Sequence, residues 1–466
     1  MDMLFFNTLE QFGQKTALVT ETGATLSYHQ LVTDADSVSS IIGKRELVFC
    51  VCSNNIESVV GYVGFLRNQI VPILINPDID KELYSSLEET YQPAYIWAPN
   101  GFVDGDVVYS YGNYALSKTR YVTEHTLYPE LALLLTTSGS TGSPKLVRQS
   151  YRNIASNTES IIEYLNITEN DRAITTLPMS YTYGLSILHT HLAAGATVIL
   201  TDASLMSKTF WSLLKEQEAT TFGGVPYTYE MLKKLRFARM DLPSLSYVTQ
   251  AGGKLSQELS LEFATVCKEK GIKFIVMYGQ SEATARMSYL PWEYAISKAG
   301  SMGIAIPNGK FTLIDADEME ITEPRVTGEL VYEGENVTLG YAETIDDLAK
   351  GDERNGVLQT GDMAERDEDG FFYIVGRKKR FLKIFGNRVN LDEVEGLLKS
   401  AGFECAVGGI DDHMKIFVTD DTKLDEVKRF VSEKTGLNHA AFSSAFIPEI
   451  PRNEAGKVLY GELENI

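Results

Sequence analysis

Short, wholly apolar runs alternate along the chain with longer stretches in which apolar residues recur every three or four positions. The runs LVFCV, VPILI and YIWAP, all within the first 100 residues, have no polar face, as strands covered on both sides require. Between them, IESVVGYVGFLRNQ and KELYSSLEETYQ carry the helical period. Strand–helix–strand alternation predicts a parallel sheet with helices on its faces. KTALVTE and ATLSYHQL, on either side of Gly23, predict an opening hairpin. The alternation continues with helices over RNIASNTESIIEYLN and SILHTHLAAG and strands at TVILTD, ATTFGG, SYVTQ and KFIVM. GSMGIAIPNGKFTLID and TGELVYEGENVTLGYAE read as two hairpins with glycine turns. From residue 391 a helix, LDEVEGLLKSAG, precedes a strand–strand–helix–strand pattern, ECAVGGID, MKIFVTD, KLDEVKRFVSEK and AFSSAFIPEI, which predicts a compact α+β domain. Ser256, and Asn390 or Asp392, stand where they would cap helices.

Composition narrows the picture. A chain of 466 residues accommodates two or three domains. Its formal net charge of −21 argues against nucleic acid and anionic membranes as partners. That charge is uneven: residues 377–466 hold 14 basic and 15 acidic side chains, whereas residues 1–376 hold 28 and 48. The shift in density is consistent with a large domain over 1–376 and a small one over 377–466. There is no apolar run of about 18 residues, so no membrane span is expected. The N-terminal MDMLFFNTLEQF has no basic region before its apolar stretch, which argues against a signal peptide. Cys50 and Cys52 alternate within LVFCVC and should share one face of a buried strand rather than hold a metal, since no histidine lies nearby. Reduced thiols without an export signal point to the cytoplasm. His125 has no neighbouring partner and reads as a surface residue. His189 and His191 are two apart on a helix, so they point to different faces.

Candidate chemistry begins at residues 131–151. An apolar strand runs into a loop of almost nothing but Ser, Thr and Gly: Thr137, Ser138, Gly139, Ser140, Thr141 and Gly142, closed by Pro144 and Lys145. Small residues let backbone N–H groups approach a ligand, and a nest of donors backed by one lysine suits a polyphosphate. The P-loop motif fails on spacing, because Ser143 and Pro144 separate Gly142 from Lys145. A second site lies at Tyr278-Gly279-Gln280-Ser281-Glu282, where a buried strand delivers an aromatic face and then a carboxylate able to hold a divalent cation.

SGSTGSPK and YGQSE resemble the phosphate loop and the Tyr-Gly-x-Thr-Glu motif of the adenylate-forming superfamily of acyl-CoA synthetases, stand-alone adenylation domains and luciferases. About seven motifs occur in the expected order. The resemblance implies a large N-terminal domain of α/β sheets plus a distorted β-barrel, and a small mobile α+β C-terminal domain. It implies that Tyr181 gates an acyl pocket lined by Tyr183, with Gly224 and Tyr227 at its floor. Gly253 would cover one face of adenine, and Tyr278 and Gly279 would hold the base. Ser281 stands for the usual threonine, and Glu282 would bind Mg²⁺ and serve catalysis. Asp362 would take both ribose hydroxyls, assisted by Arg377. The run RKKRFLK, which alone would read as a nucleic-acid patch, becomes the hinge, with Lys379 at its pivot. Gly386 would line a pantetheine tunnel. Lys457 would bind the carboxylate and α-phosphate during adenylation.

The activity implied is conversion of a carboxylic acid and ATP to an acyl-adenylate and pyrophosphate, then transfer to CoA or to phosphopantetheine on a carrier protein. The chain ends nine residues after Lys457, so any carrier is expected to be separate. Amino-acid-activating members place an aspartate where Met179 and Ser180 stand. A buried ammonium without a carboxylate is costly, which tilts the substrate toward a plain acyl or aryl acid. Leu146, Ser281, Asn453 and Tyr460 depart from the superfamily pattern. An inactive nucleotide-binding relic is the alternative outside enzymes.

Overall fold

The computed structural model of the protein describes residues 5–122, 126–136, 145–384, 387–410, 412–452 and 458–463. The chain parts into two compact units, one of residues 1–310 and 333–358, the other of residues 311–332 and 359–466.

The larger unit is built on two mixed sheets. The first has nine strands, and at its centre five run parallel: Thr197–Leu200, Arg172–Ile174, Thr221–Gly224, Tyr247–Gln250 and Lys273–Tyr278. The expected N-terminal hairpin, Thr16–Thr20 with Thr25–Ser27, closes one edge, Thr16–Thr20 pairing in parallel with Thr197–Leu200. The second sheet has eight strands, with Tyr95–Pro99, Leu47–Val51, Val71–Ile75 and Leu131–Thr136 parallel at its centre. Leu47–Val51 and Val71–Ile75 are buried at every position, which is why their sequences carry no polar face.

One hydrophobic core joins the sheets. It takes Leu18 and Val198 from the first, Val48, Leu74 and Leu133 from the second, and the buried faces of helices Tyr28–Ser40, Ile56–Arg67 and Thr182–Ala193. Two further cores cover the outer faces. Helices Lys208–Glu216, Pro226–Lys234 and Gln257–Lys270 pack on the first sheet, and Lys81–Tyr91 on the second. The layers therefore alternate helix, sheet, helix, sheet, helix. Short polar side chains fix the helix starts: Ser27, Asn55, Asp80 and Ser256 each accept backbone N–H bonds, and Ser150 with Asn153 forms a full capping box.

The smaller unit contains a four-stranded sheet in the order Lys310–Ile314, Gly328–Glu333, Val357–Arg366, Phe372–Arg377. It continues into the ribbon Phe381–Ile384/Asn387–Asn390 and a three-stranded sheet, Cys405–Ile410, His413–Val418 and Phe442–Phe446. Helices Leu391–Ser400 and Leu424–Thr435 complete the strand–strand–helix–strand pattern read from the sequence. Asn390, not Asp392, caps the first of them; Asp392 instead pairs with Arg380 at 2.8 Å.

Two expectations are corrected. The segments read as hairpins, residues 300–315 and 327–343, each send their strands to different sheets. Ile304–Ala305 and Gly340–Ala342 join the edges of the nine- and eight-stranded sheets, while Lys310–Ile314 and Gly328–Glu333 pair with each other. Glycine turns signalled chain reversal but could not name the partner strand.

Candidate active site

Strand Lys273–Tyr278 ends in Tyr278, and the chain folds back sharply after it. Gly279 is required there, because a Cβ would lie 1.8 Å from the carbonyl oxygen of Ala285. At the far side of the loop Thr284 sits at φ +66° and ψ −53°, bridged by a hydrogen bond from the Ala285 N–H to the Ala283 carbonyl at 2.7 Å. This is a γ-turn of the strained hand. Its neighbours over-determine it. The Asn336 amide donates to the carbonyls of Ala283 and Arg286 at 2.9 and 3.1 Å, Asn157 binds Arg286 O at 2.8 Å, and Thr284 Oγ1 donates to Asn336 O at 2.7 Å.

This loop presents Ser281 and Glu282, both half-buried. Tyr341 Oη donates to Glu282 Oε1 at 2.7 Å, and the Glu282 carbonyl accepts from the Thr338 N–H and from Arg354. The Tyr341 ring carries two cations, Lys145 Nζ 3.8 Å from its centroid and the Arg354 guanidinium 4.7 Å from it. Lys145 also reaches Glu343 at 3.3 Å. Burial, and then the Glu282 carboxylate, push the Tyr341 phenol up to about 12, so it remains a donor at neutral pH. The structure thus brings Lys145 and Glu282, 137 positions apart in sequence, onto one tyrosine. The signal for Tyr341 was present in GYAE, but that stretch reads as scaffold.

A single oriented carboxylate fits a magnesium ion, which takes one or two protein carboxylates and fills its remaining positions with phosphate and water. Among the described residues no group of three or more His, Cys, Asp or Glu side chains could hold a metal by itself.

A tyrosine wall stands nearby in the same unit. Tyr181 precedes helix Thr182–Ala193 and Tyr183 lies within its first turn. Their rings meet edge to face, centroids 6.4 Å apart. The Tyr181 hydroxyl occupies the space a Cβ on Gly252 would need, 2.7 Å away, and Gly252 has φ +81°. The Tyr183 hydroxyl bonds Thr249 Oγ1 at 2.8 Å and closes on Gly223 in the same manner. Burial raises both phenols to about 12. Gly224 is buried beside Thr228 and Tyr229, and Gly253 is exposed with its carbonyl held by Gln250 at 2.9 Å. Tyr227, expected at the pocket floor, is 57 % exposed on helix Pro226–Lys234, where the buried tyrosine is Tyr229. Met179 is buried.

In the smaller unit Asp362 and Arg377 face each other across an antiparallel pair, with Arg377 Nε 3.6 Å from Asp362 Oδ1. Asp362 comes directly after Gly361 at φ +71° and is only 6 % exposed. Lys379 lies on the single turn Lys378–Arg380. Thr137, Ser138, Gly139, Ser140, Thr141, Gly142, His125, Gly386 and Lys457 lie outside the described residues, as does the side chain of Lys379.

Arg380 ties that turn to the C-terminal part of the chain. Its guanidinium contacts Asp392 and Glu395, donates to Val407 O, and lies 3.7 Å from the centroid of Tyr460. The Tyr460 hydroxyl closes the circuit on the Glu395 carboxylate at 3.0 Å. Tyr460, a departure from the superfamily pattern, is thus a stacking partner for a buried arginine.

In the larger unit, helix Thr182–Ala193 carries His189 and His191 fully inside. Burial holds the first down at about 3 and the second at about 4, so both are neutral, and His189 Nε2 bonds Tyr62 Oη at 2.6 Å. Cys50 and Cys52 are buried free thiols, as expected.

A family model described as AMP-binding enzyme matches residues 5–342. The 2-succinylbenzoate–CoA ligase of Bacillus mycoides is 29 % identical over 360 residues, covering 74 % of this chain and 72 % of that protein. The fold matches O-succinylbenzoate coenzyme A synthetase from Bacillus subtilis in complex with AMP, with a TM-score of 0.81 at 22 % identity over 99 % of this chain and 98 % of that one. The same enzyme in complex with ATP and magnesium ion matches with a TM-score of 0.79 at 20 % identity, over 99 % of both chains.

Proposed function

The chain belongs to the AMP-binding enzyme family, and from that premise we propose that it is an AMP-forming acid–thiol ligase acting on a small carboxylic acid, with CoA as the acceptor. The observation that carries the reading is the Glu282 carboxylate. It projects from the single turn Ser281–Ala283, just before the strained turn at Thr284, oriented by Tyr341, with Lys145 on the same ring.

In the first step a carboxylate oxygen of the acid attacks the α-phosphorus of ATP, the bond from that phosphorus to the bridging oxygen of the β-phosphate breaks, and pyrophosphate leaves. Both reactants are anions, so the barrier is one of repulsion and positioning. No general base is needed, because the acid is already ionised at neutral pH. In this reading the loop 137–142 and Lys145 receive the phosphates, and Tyr278, Gly279 and Gly253 the adenine. Glu282 would hold a magnesium ion, which would supply positive charge beside the phosphates. Asp362 and Arg377 take the ribose, and Lys457 reaches the reacting oxygens. Tyr181, Tyr183 and Gly224 bound the acyl group. In the second step the thiol of CoA loses its proton to solvent, its sulfur attacks the acyl carbonyl carbon, and the bond from that carbon to the phosphate oxygen breaks, releasing AMP. The small domain, residues 377–466, turns about Lys379 between the steps and brings Gly386 to the pantetheine arm. Four buried free cysteines suit a reducing compartment, the cytoplasm.

The test is product analysis. Acid-dependent release of AMP, not ADP, together with a thioester on free CoA supports the reading. Thioester formed only on a separate pantetheinylated carrier protein would make the chain a carrier-protein ligase. Release of ADP, or nucleotide turnover indifferent to acid, would refute it.

A further inference from the structure

Arg286 lies two residues beyond the strained turn at Thr284 and is only 2 % exposed. Its guanidinium lies 4.7 Å from the centroid of Tyr183. Nη1 reaches Tyr164 Oη at 3.3 Å and Met277 Sδ at 2.9 Å, and Nη2 donates to Ser186 Oγ at 3.1 Å. Every one of these partners is neutral. Nε is buried with no hydrogen-bond partner. Asp171, whose field reaches His191 and Tyr247 as that of Arg286 does, is held by Thr168 and Thr220.

No carboxylate among the described residues pairs with Arg286, and a buried arginine without a counter-ion is costly. Two other deeply buried arginines of this chain are matched: Arg148 with Glu353, and Arg380 with Asp392 and Glu395. Arg286 differs from them, and it stands behind the tyrosine wall, stacked on the ring of Tyr183. The missing Cβ of Gly279 makes room for the Arg286 backbone, which a Cβ there would meet at 2.8 Å. A guanidinium so placed offers a planar donor edge to a carboxylate on the acyl side of the turn at residues 278–279.

We infer that the acid substrate carries a second carboxylate, remote from the one that is activated, and that Arg286 binds it. The inference rests on the acid-activating reading. It adds the substrate class: a dicarboxylate whose far end supplies the counter-ion that no described residue provides. The neutral neighbours fit this role, because none competes for the charge. Tyr164 and Ser186 hold the guanidinium in plane while Nε stays spare.

The test compares succinate, glutarate, adipate and suberate with their monomethyl esters in hydroxylamine trapping of the acyl-adenylate by the full chain. A site built around a buried cation rejects an analogue lacking the matching charge by about 100-fold or more in kcat/KM, and a preference of that size for at least one diacid is expected. Arg286→Met should remove most of that preference by lowering turnover of the diacid and not of its ester, and Arg286→Lys should retain part of it. Wild-type enzyme trapping monoesters as well as diacids would overturn the inference and leave acid activation standing. A preference unchanged in Arg286→Met would overturn the assignment to Arg286. Trapping of no acid at all would count against acid activation itself, and the inference would fall with it. Should Arg286→Met not fold, the wild-type comparison still decides the substrate class.

Discussion

Tyr341 joins Glu282 and Lys145, the two charged groups on which the proposed chemistry leans most. Its hydroxyl orients Glu282 and its ring carries Lys145 and Arg354. Tyr341→Phe keeps the ring and both cation contacts while deleting one hydrogen bond to a carboxylate, a bond of about 1.5–3 kcal/mol. A loss of about tenfold or more in kcat is expected, with a raised magnesium requirement and an unchanged KM for the acid. A magnesium titration indistinguishable from wild type would show that the bond orients nothing of consequence. His189 and His191 make a different prediction. Both are held neutral in the fold, below the ordinary histidine value near 6.5. The unfolded chain therefore takes up protons first as pH falls. The stability these residues contribute is complete above about pH 6.5 and declines toward pH 4, by about 1.4 kcal/mol per pH unit for each histidine. Thermal unfolding between pH 6.5 and 5 should be steeper for wild type than for His189→Gln. Equal slopes would mean that His189 is not buried neutral. Neither residue was legible in this role from sequence, which showed only that they point to different faces of a helix.

At the scale of elements, the alternation of apolar runs and helical periods was readable because each strand of the parallel sheets is covered on both sides and carries its own signature. Leu47–Val51 and Val71–Ile75 are such strands, and caps such as Ser256 and Asn390 declared themselves locally. What escaped was anything set by distant partners. The strands around residues 300–343 were placed in local hairpins, yet their edges belong to three different sheets. Thr284 carries no mark of its strained turn, because the bonds that impose it come from Asn336 and Thr182. Tyr227 and Tyr229 both occur in PYTYE, and only burial distinguishes them. Arg286 stands as a lone charge in ATARMSYL, but that no described carboxylate pairs with it is a fact of three dimensions. In the smaller unit the circuit of Arg380, Glu395 and Tyr460 ties the turn Lys378–Arg380 to helix Leu391–Ser400 and the C-terminal turn. Removing one member of a buried pair costs about 3–5 kcal/mol. Glu395→Ala should therefore raise hydrogen exchange throughout Leu391–Ser400 and leave the larger unit unaffected. Protection unchanged in that helix would mean that the circuit does not stabilise it.

On the scale of the whole molecule, the layered helices and sheets of the larger unit support loops that emerge at strand ends, where an open α/β sheet presents its ligand sites. The ends of strands Thr221–Gly224, Tyr247–Gln250 and Lys273–Tyr278 supply, in turn, the glycine turn near Tyr183, the glycine pair at 252–253, and the segment 278–282. No helix among the described residues is long and apolar enough to cross a membrane.

The central claim, the proposal that Glu282, beside the strained turn at Thr284, serves transfer of an adenylyl group to a carboxylate, is tested most directly by acid-dependent exchange of labelled pyrophosphate into ATP. Wild-type protein should catalyse exchange only when a suitable acid is present, and Glu282→Gln should exchange about 10²–10³ times more slowly while folding normally. Exchange equally fast in Glu282→Gln, or independent of acid, would contradict the account.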